Sequence, residues 1–200
     1  SLGKNIPISD TDILKLTEFA SKEKIDLTII GPEAPLAAGI VDKFKECGLH
    51  AFGPNKNAAR LESSKTFAKN FMVEMGIPTA NSTTVCSAEE AQAEVGRFGL
   101  PVVIKADGLA AGKGVYICES QVQTAKAIED LLIKRKFGDA GNRVLIEEFL
   151  TGPEISVFAF SDGSSVSPLV GACDYKRIGN DDKGPNTGGM GAYSPAIFWN

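Results

Sequence analysis

The 200-residue chain is 43% hydrophobic and 23% charged, with a formal net charge of -4. That is the composition of an ordinary globular protein of one or two domains, too mildly acidic to be drawn generally to nucleic acid or anionic membrane. No apolar run nears the ~18 residues of a membrane span, no signal peptide is visible, and four scattered cysteines with His50 as the only histidine argue against a zinc site or a His-based triad and for a reducing, cytoplasmic setting.

Residues 11–22 carry Ile13, Leu14, Leu16 and Phe19 at amphipathic helical spacing, with Ser9 or Asp10 as the expected cap. Residues 25–30 read as a strand ended by Gly31-Pro32. Pro35 is placed to open a helix over 36–47, which Gly48 stops, and a strand over 49–52 ends at Gly53-Pro54. Helix, strand, helix, strand with short links predicts a parallel α/β unit. Glu33 follows the carboxyl end of the first strand, where open α/β sheets bind ligands, although a solvated turn residue is the simpler reading there.

The next helix is predicted over 63–75, with Phe67, Phe71 and Met75 as a core-facing stripe and Lys65 and Lys69 on another face, where solvation is the ordinary fate of lysine. Another helix is expected over 88–98. Val102-Val103-Ile104 then reads as a buried strand, and Lys105 ends it, where a charge is costly to hide unless something anionic meets it. Gly108, Gly112 and Gly114 surround Lys113 before the extended pattern resumes at 115–117. A strand, a glycine loop carrying lysine and a second strand form a hairpin able to fold over a polyphosphate, because glycines let backbone N–H groups approach phosphate oxygens. It is neither a Walker A loop nor a dinucleotide fingerprint, since the glycine spacing differs and no helix follows. A glycine hairpin without a ligand remains open at this point.

Ser120 is placed to cap a helix through residue 133, with Val122, Ala125, Ile128, Leu131 and Leu132 on its buried side. Residues 144–150 form an apolar strand ending in Glu147, Glu148, Phe149 and Leu150, and 154–160 alternate as a returning strand. Asp162-Gly163 predicts a hairpin turn. The last segment, 174–195, has too many glycines for a regular element. Yet it holds Asp174, Lys176, Arg177 and Asn186, as a functional loop would and a linker would not.

Together these residues resemble the ATP-grasp ligases and, among them, the glycinamide ribonucleotide synthetase (phosphoribosylamine–glycine ligase) family. The resemblance rests on Gly31-Pro-Glu-Ala-Pro-Leu36, Leu61-Glu-Ser-Ser-Lys65, Lys105 with Asp107-Gly-Leu-Ala-Ala-Gly-Lys-Gly-Val115, Glu147-Glu-Phe-Leu150 and Gly184-Pro-Asn-Thr-Gly-Gly-Met-Gly-Ala-Tyr-Ser-Pro195, and spans nearly the whole chain in order. It implies an ATP-grasp fold (α/β, with an α+β lid) behind a parallel α/β N-terminal domain. Residues 1–62 would be the remainder of that domain, 63–145 the small lid, and 146–200 the start of the central domain.

By the same resemblance, Lys105 and Lys65 meet the phosphates of ATP, and Gly108, Gly112, Lys113 and Gly114 close over them. Glu147, Glu148, Phe149 and Leu150 form the adenine hinge, and Glu154 takes the ribose hydroxyls. Glu33, Asp174, Lys176, Asn186, Thr187, Gly188, Gly189, Met190 and Gly191 hold glycine and 5-phosphoribosylamine, with Arg177 joining Lys105 as catalytic. The implied reaction passes through glycyl phosphate to glycinamide ribonucleotide, a step of purine biosynthesis, and needs Mg²⁺ or Mn²⁺ with ligands expected beyond residue 200. Phosphoryl transfer of this kind runs on positioning and charge neutralisation, which agrees with the lack of a nucleophilic triad.

Three departures are visible. The family's glycine-rich first strand is missing ahead of Ser1, Tyr175 stands where relatives commonly have His, and the chain stops just after a loop, so it reads as a fragment expected to be inactive alone. Its full protein is expected to act on small molecules in the cytoplasm, free-standing or fused to further purine-pathway domains. Two other readings stay open: a different ATP-grasp carboxylate–amine ligase, and a nucleotide-binding module without catalysis.

Overall fold

The computed structural model of the chain describes residues 3–110 and 112–199, with the side chains of Asp182, Pro185 and Asn186 outside that description. Two compact units are present, Ser1–Phe149 and Leu150–Asn200.

The first unit begins with α1 (Ile13–Lys22), capped by Asp12, whose carboxylate accepts from Lys15 N. Ser9, an expected cap, bonds the Thr11 hydroxyl instead. Strands β1 (Thr28–Ile29) and β2 (Ala51–Phe52) pair in parallel, as the α/β reading requires, but span only two residues each. Between them the single helix expected over 36–47 is two, α2 (Glu33–Ala38) and α3 (Ile40–Glu46). Gly39, at φ 94°, ends one and starts the other, a left-handed conformation that a side chain would disfavour. Glu33 is therefore not a turn residue: it lies in the first turn of α2, where its charge complements the helix dipole. Ile40, Phe44 and Ala20 form the small core here.

Helix α4 (Lys56–Ser63), capped by Asn55, has no counterpart among the sequence expectations. Ser64 follows it in an extended conformation, ends α4, and caps α5 (Lys65–Glu74) by accepting from Phe67 N. The apolar stripe predicted on α5 does not face a core. Phe71 and Met75 are exposed, and no residue of α5 is fully buried. Phe67 instead lies between Phe71 and the Arg60 guanidinium, 3.9 Å from its ring, while the lysine face of the helix turns inward.

A four-stranded antiparallel sheet follows. Its strands are β3 (Ser82–Val85), β4 (Val102–Ala106), β5 (Val115–Cys118) and β6 (Val144–Glu148), in the order β3-β6-β4-β5. Helices α6 (Ala88–Phe98) and α7 (Gln121–Ile128) lie on it. The core joins Ala91 and Val95 of α6, Ala127 and Ile128 of α7, and Val102, Ile104, Val144 and Ile146 of the central strands. Ser120 caps α7 as expected, but the helix passes at Glu129–Ile133 into a π turn. Its buried face is Thr124, Ala127, Ile128 and Leu131, whereas Val122 and Ala125 are exposed. Residues 124, 127, 128 and 131 recur at the i, i+3, i+4, i+7 spacing of one helix face, which leaves Val122 and Ala125 outside it.

In the second unit, β7 (Ser156–Phe158) pairs with β8 (Val170–Asp174). The segment expected to be irregular contains β9 (Arg177–Gly179) and β10 (Lys183–Asn186), which form an antiparallel pair, and β11 (Ala192–Tyr193), which adds to β8. Backbone pairing overrides glycine content here because each strand needs only two to four residues. No helix among the described residues is long and apolar enough to cross a membrane.

The corrected face of α7 makes a stability prediction. Leu131 is fully buried, so Leu131→Ala should lower unfolding free energy by about 2–5 kcal/mol. Val122 is 79% exposed, so Val122→Ala should change it by less than about 0.5 kcal/mol. Urea titrations of the two variants check the contrast.

Candidate functional site

Strands β4 and β6 lie side by side, with Val103 opposite Glu147. Alternation along β4 sends Ile104 into the core and Lys105 towards the other face, where it remains half-buried. There Lys105 Nζ pairs with Glu147 Oε1. Lys69 reaches the same carboxylate from α5, its Nζ 2.8 Å from Oε2, and also donates to Thr79 Oγ1 at 2.8 Å and the Ala80 carbonyl at 3.0 Å. One buried carboxylate is thus shared by two ammonium groups. Burial pushes the Glu147 carboxyl up, but the bonds from Lys105 and Lys69 outweigh it and hold the group below its ordinary range.

Lys65 opens α5 and donates to the carbonyls of Asp107 and Gly108, at 3.4 and 3.1 Å. Burial pushes its ammonium down, against the pull of Asp107 and Glu62, and the like charge of Lys105 pushes the same way. Sequence reasoning placed Lys69 among solvated lysines and passed over it. The available signal was its place one turn after Lys65 on the same helix face.

The glycine hairpin forms between β4 and β5 as its pattern suggested. Gly108 packs so closely on Ala140 that a Cβ would come within 2.9 Å of its Cα and Cβ, and a Cβ on Gly114 would meet Ala110 at 2.8 Å. Gly112 has open space around it but a φ of 71°. The loop borders a cavity of about 560 Å³ lined by Glu33, Glu62, Lys65, Gly112, Lys113 and Gly114. Glu33, a predicted acceptor-site residue, thus lines the same cavity as the glycine-loop residues.

Along the expected hinge, Glu148 spends its carboxylate on Asn81, accepting from the backbone N at 2.9 Å and from Nδ2 at 3.2 Å. Phe149 and Leu150 are exposed. The side chains of Glu147 and Glu148 are thus both engaged within the first unit.

In the second unit, Lys176 Nζ pairs with Glu154 and, at 3.0 Å, with Asp174. The bond to Glu154 raises the Lys176 pKa against the effect of burial, and Asp174 adds to the rise. The Lys176 carbonyl accepts from Thr187 N at 2.6 Å and Thr187 Oγ1 at 2.9 Å, and Gly189 N donates to Thr187 Oγ1. Tyr175 bonds Met190 N through its carbonyl and Gly191 O through its N–H. Arg177 donates to the Gly184 carbonyl at 2.6 Å. Gly188 and Met190 are exposed, and the Asn186 side chain lies outside the described residues. The predicted acceptor residues 174–177 and 187–191 are therefore laced to one another by the backbone. Among the described residues no group of three or more His, Cys, Asp or Glu gathers as a metal site.

The sequence model of the phosphoribosylglycinamide synthetase N domain matches residues 1–62, and that of the same enzyme's ATP-grasp (A) domain matches residues 63–200. The chain belongs to the phosphoribosylglycinamide synthetase family. It is 52% identical over 193 residues to the phosphoribosylamine–glycine ligase of Salmonella typhi, covering 96% of this chain and 45% of that one. The crystal structure of the Thermotoga maritima phosphoribosylamine–glycine ligase superposes with a TM-score of 0.78 at 36% identity, over 97% of this chain and 46% of that one. Biotin carboxylase of Campylobacter jejuni, at 22% identity and a TM-score of 0.69, covering 84% of this chain and 39% of its own, shares the fold. The chain spans about 45% of the length of the curated relatives it matches.

The lysine-bracketed carboxylate is an acid-sensitive anchor between α5 and the four-stranded sheet. Because the folded-state pKa of Glu147 lies below its ordinary value of 4.5, its stabilising effect is complete above that value and is lost as pH falls through and below it. Thermal unfolding measured from pH 7 to pH 3 should show a shallower acid limb in Glu147→Gln than in the unsubstituted protein. The variant should also be less stable at pH 7, where two ammonium groups then lack their counter-charge.

Proposed function

We propose that the whole protein is an ATP-dependent ligase that joins glycine to 5-phosphoribosylamine through glycyl phosphate, giving glycinamide ribonucleotide, ADP and phosphate. The observation that carries this reading is the set of lysines gathered on the strand and helix next to the glycine hairpin. Two ammonium groups share the Glu147 carboxylate, and Lys65 stands on carbonyl oxygens beside a cavity that Lys113 also lines. Two part-buried ammonium groups on one carboxylate leave a local positive charge that favours a further anion, and a polyphosphate meets that need. Gly108 and Gly114 leave no room for side chains, which suits a backbone that approaches phosphate closely. The domain matches and the relatives' names supply the choice of glycine and phosphoribosylamine.

In this reading ATP supplies an activated phosphoryl group, and the chain's residues position it. Lys105 and Lys65 neutralise phosphate charge, and the loop over residues 108–114 excludes water from an acyl phosphate that water would destroy. The carboxylate of glycine attacks the γ-phosphate, and the amine of phosphoribosylamine then displaces phosphate from glycyl phosphate. Phe149, Leu150 and the backbone of residues 147–150 would take adenine, and Glu154 the ribose hydroxyls. Residues 174–177 and 186–191 would take the acceptor and glycine, with Arg177 assisting and Glu33 joining from α2. The described residues do not by themselves fit a divalent ion, so no step is routed through Mg²⁺ or Mn²⁺. A cytoplasmic enzyme acting on small molecules, with or without fused purine-pathway domains, accords with this assignment.

The assay is ADP release by the full-length protein, which should require both glycine and phosphoribosylamine. Release that ignores both but responds to another carboxylate–amine pair would overturn the assignment. Lys105→Met should lower kcat by roughly 10²–10³-fold if the ammonium stabilises developing phosphoryl charge. Were Lys105 merely the ion-pair partner of Glu147, turnover per folded molecule would stay near normal while thermal stability fell.

A further inference from the structure

Asp107 takes no part in the proposed contacts with ATP, yet it is the most heavily bonded residue beside the glycine loop. It follows the last residue of β4 and is 5% exposed. Its Oδ1 accepts from Thr66 N at 2.7 Å and from the Ser64 hydroxyl at 3.1 Å, and Arg143 Nη2 lies 2.7 Å from Oδ2. Its own N–H donates to the Arg143 carbonyl, and its carbonyl accepts from both Lys65 N and Lys65 Nζ. Burial pushes the carboxyl up, but the Thr66 bonds, Arg143 and Ser64 hold it below its ordinary value, so it stays ionised.

These bonds converge on two things at once. Thr66 N and Ser64 belong to the first turn and cap of α5, the turn that launches Lys65. The Asp107 and Gly108 carbonyls, which receive the Lys65 ammonium, begin the glycine loop, and Gly108 N is fixed to the Ala140 carbonyl. One residue therefore sets the origin of the Lys65 stem through its carboxylate and forms part of the shelf on which the ammonium rests through its backbone carbonyl. A two-ended constraint of this kind restricts the ammonium to a narrow volume before any ligand arrives, which removes part of the ordering cost of binding.

We infer that Asp107 is a positioning residue for nucleotide binding, acting through Lys65 by fixing the first turn of α5 to the start of the glycine loop. The inference rests on the reading of Lys65 as a phosphate contact. It separates Asp107 from an ordinary buried ion pair, whose loss would lower stability without regard to Lys65.

The test is a double-mutant cycle on the full-length protein, with affinity for a non-hydrolysable ATP analogue plus magnesium as the readout and thermal unfolding run in parallel. Asp107→Asn should weaken the analogue about tenfold, and Lys65→Met at least as much. In the Lys65→Met background, Asp107→Asn should add less than about twofold. Arg143→Ala provides a second variant at a half-exposed side chain, should Asp107→Asn fail to fold. It should weaken the analogue several-fold in the presence of Lys65 and hardly at all in its absence. Additive losses, or unaltered affinity in Asp107→Asn and Arg143→Ala alongside a clear loss in Lys65→Met, would overturn the inference and leave the nucleotide reading intact. If Lys65→Met binds the analogue normally, both the phosphate role of Lys65 and the inference fall.

Discussion

The four-stranded sheet and α5 meet across a buried carboxylate, that of Glu147. Glu147 lies on the central strand β6 and answers Lys105 from β4 and Lys69 from α5, while Lys69 also holds the chain at Thr79 and Ala80 just before β3. A buried acid with one cation often contributes little net stability, because desolvation cancels the attraction. With two cations the balance differs: the acid stays ionised, and the surplus charge remains available to a ligand. The same residue thus joins helix to sheet and leaves one of its two cations without a matching anion of its own.

Much of this arrangement was legible in the sequence. The hairpin from Val102 to Cys118 has apolar strands around a glycine loop, and both strands and the loop formed as read. Helix α6 keeps its expected limits of Ala88–Phe98, since Ser87 caps it and Gly99 ends it. The parallel pairing of β1 and β2 followed from their alternation with helices.

What could not be read depends on which face a neighbour selects. Phe67, Phe71 and Met75 have the spacing of a core stripe, but α5 meets the sheet through Lys65 and Lys69, whose partners lie about 40 residues away or more in Asp107 and Glu147. Periodicity reveals that a helix has two faces and does not weigh an apolar contact against a distant carboxylate. Val122 was misplaced for the same reason, the sheet preferring Thr124 and Ala127. The break at Gly39 and the double duty of Ser64, ending one helix and capping the next, turn on single backbone conformations within an otherwise helical pattern. In the acceptor segment, Asp174 and Lys176 were visible as a charged pair in a glycine-rich stretch. Their link to Glu154 joins residues 22 positions apart, which no local pattern encodes.

The glycines of the hairpin look interchangeable in the sequence and are not. At Gly108 the obstacle is matter, since the Ala140 backbone already fills the place a methyl group would take. At Gly112 the space is empty and the obstacle is handedness, since φ is 71°. A mirror-image alanine favours positive φ, so its backbone would suit 112, whereas at 108 it is the place of an ordinary L side chain that is already filled. One loop therefore needs its glycines for two unrelated reasons, chirality in its span and size at its root.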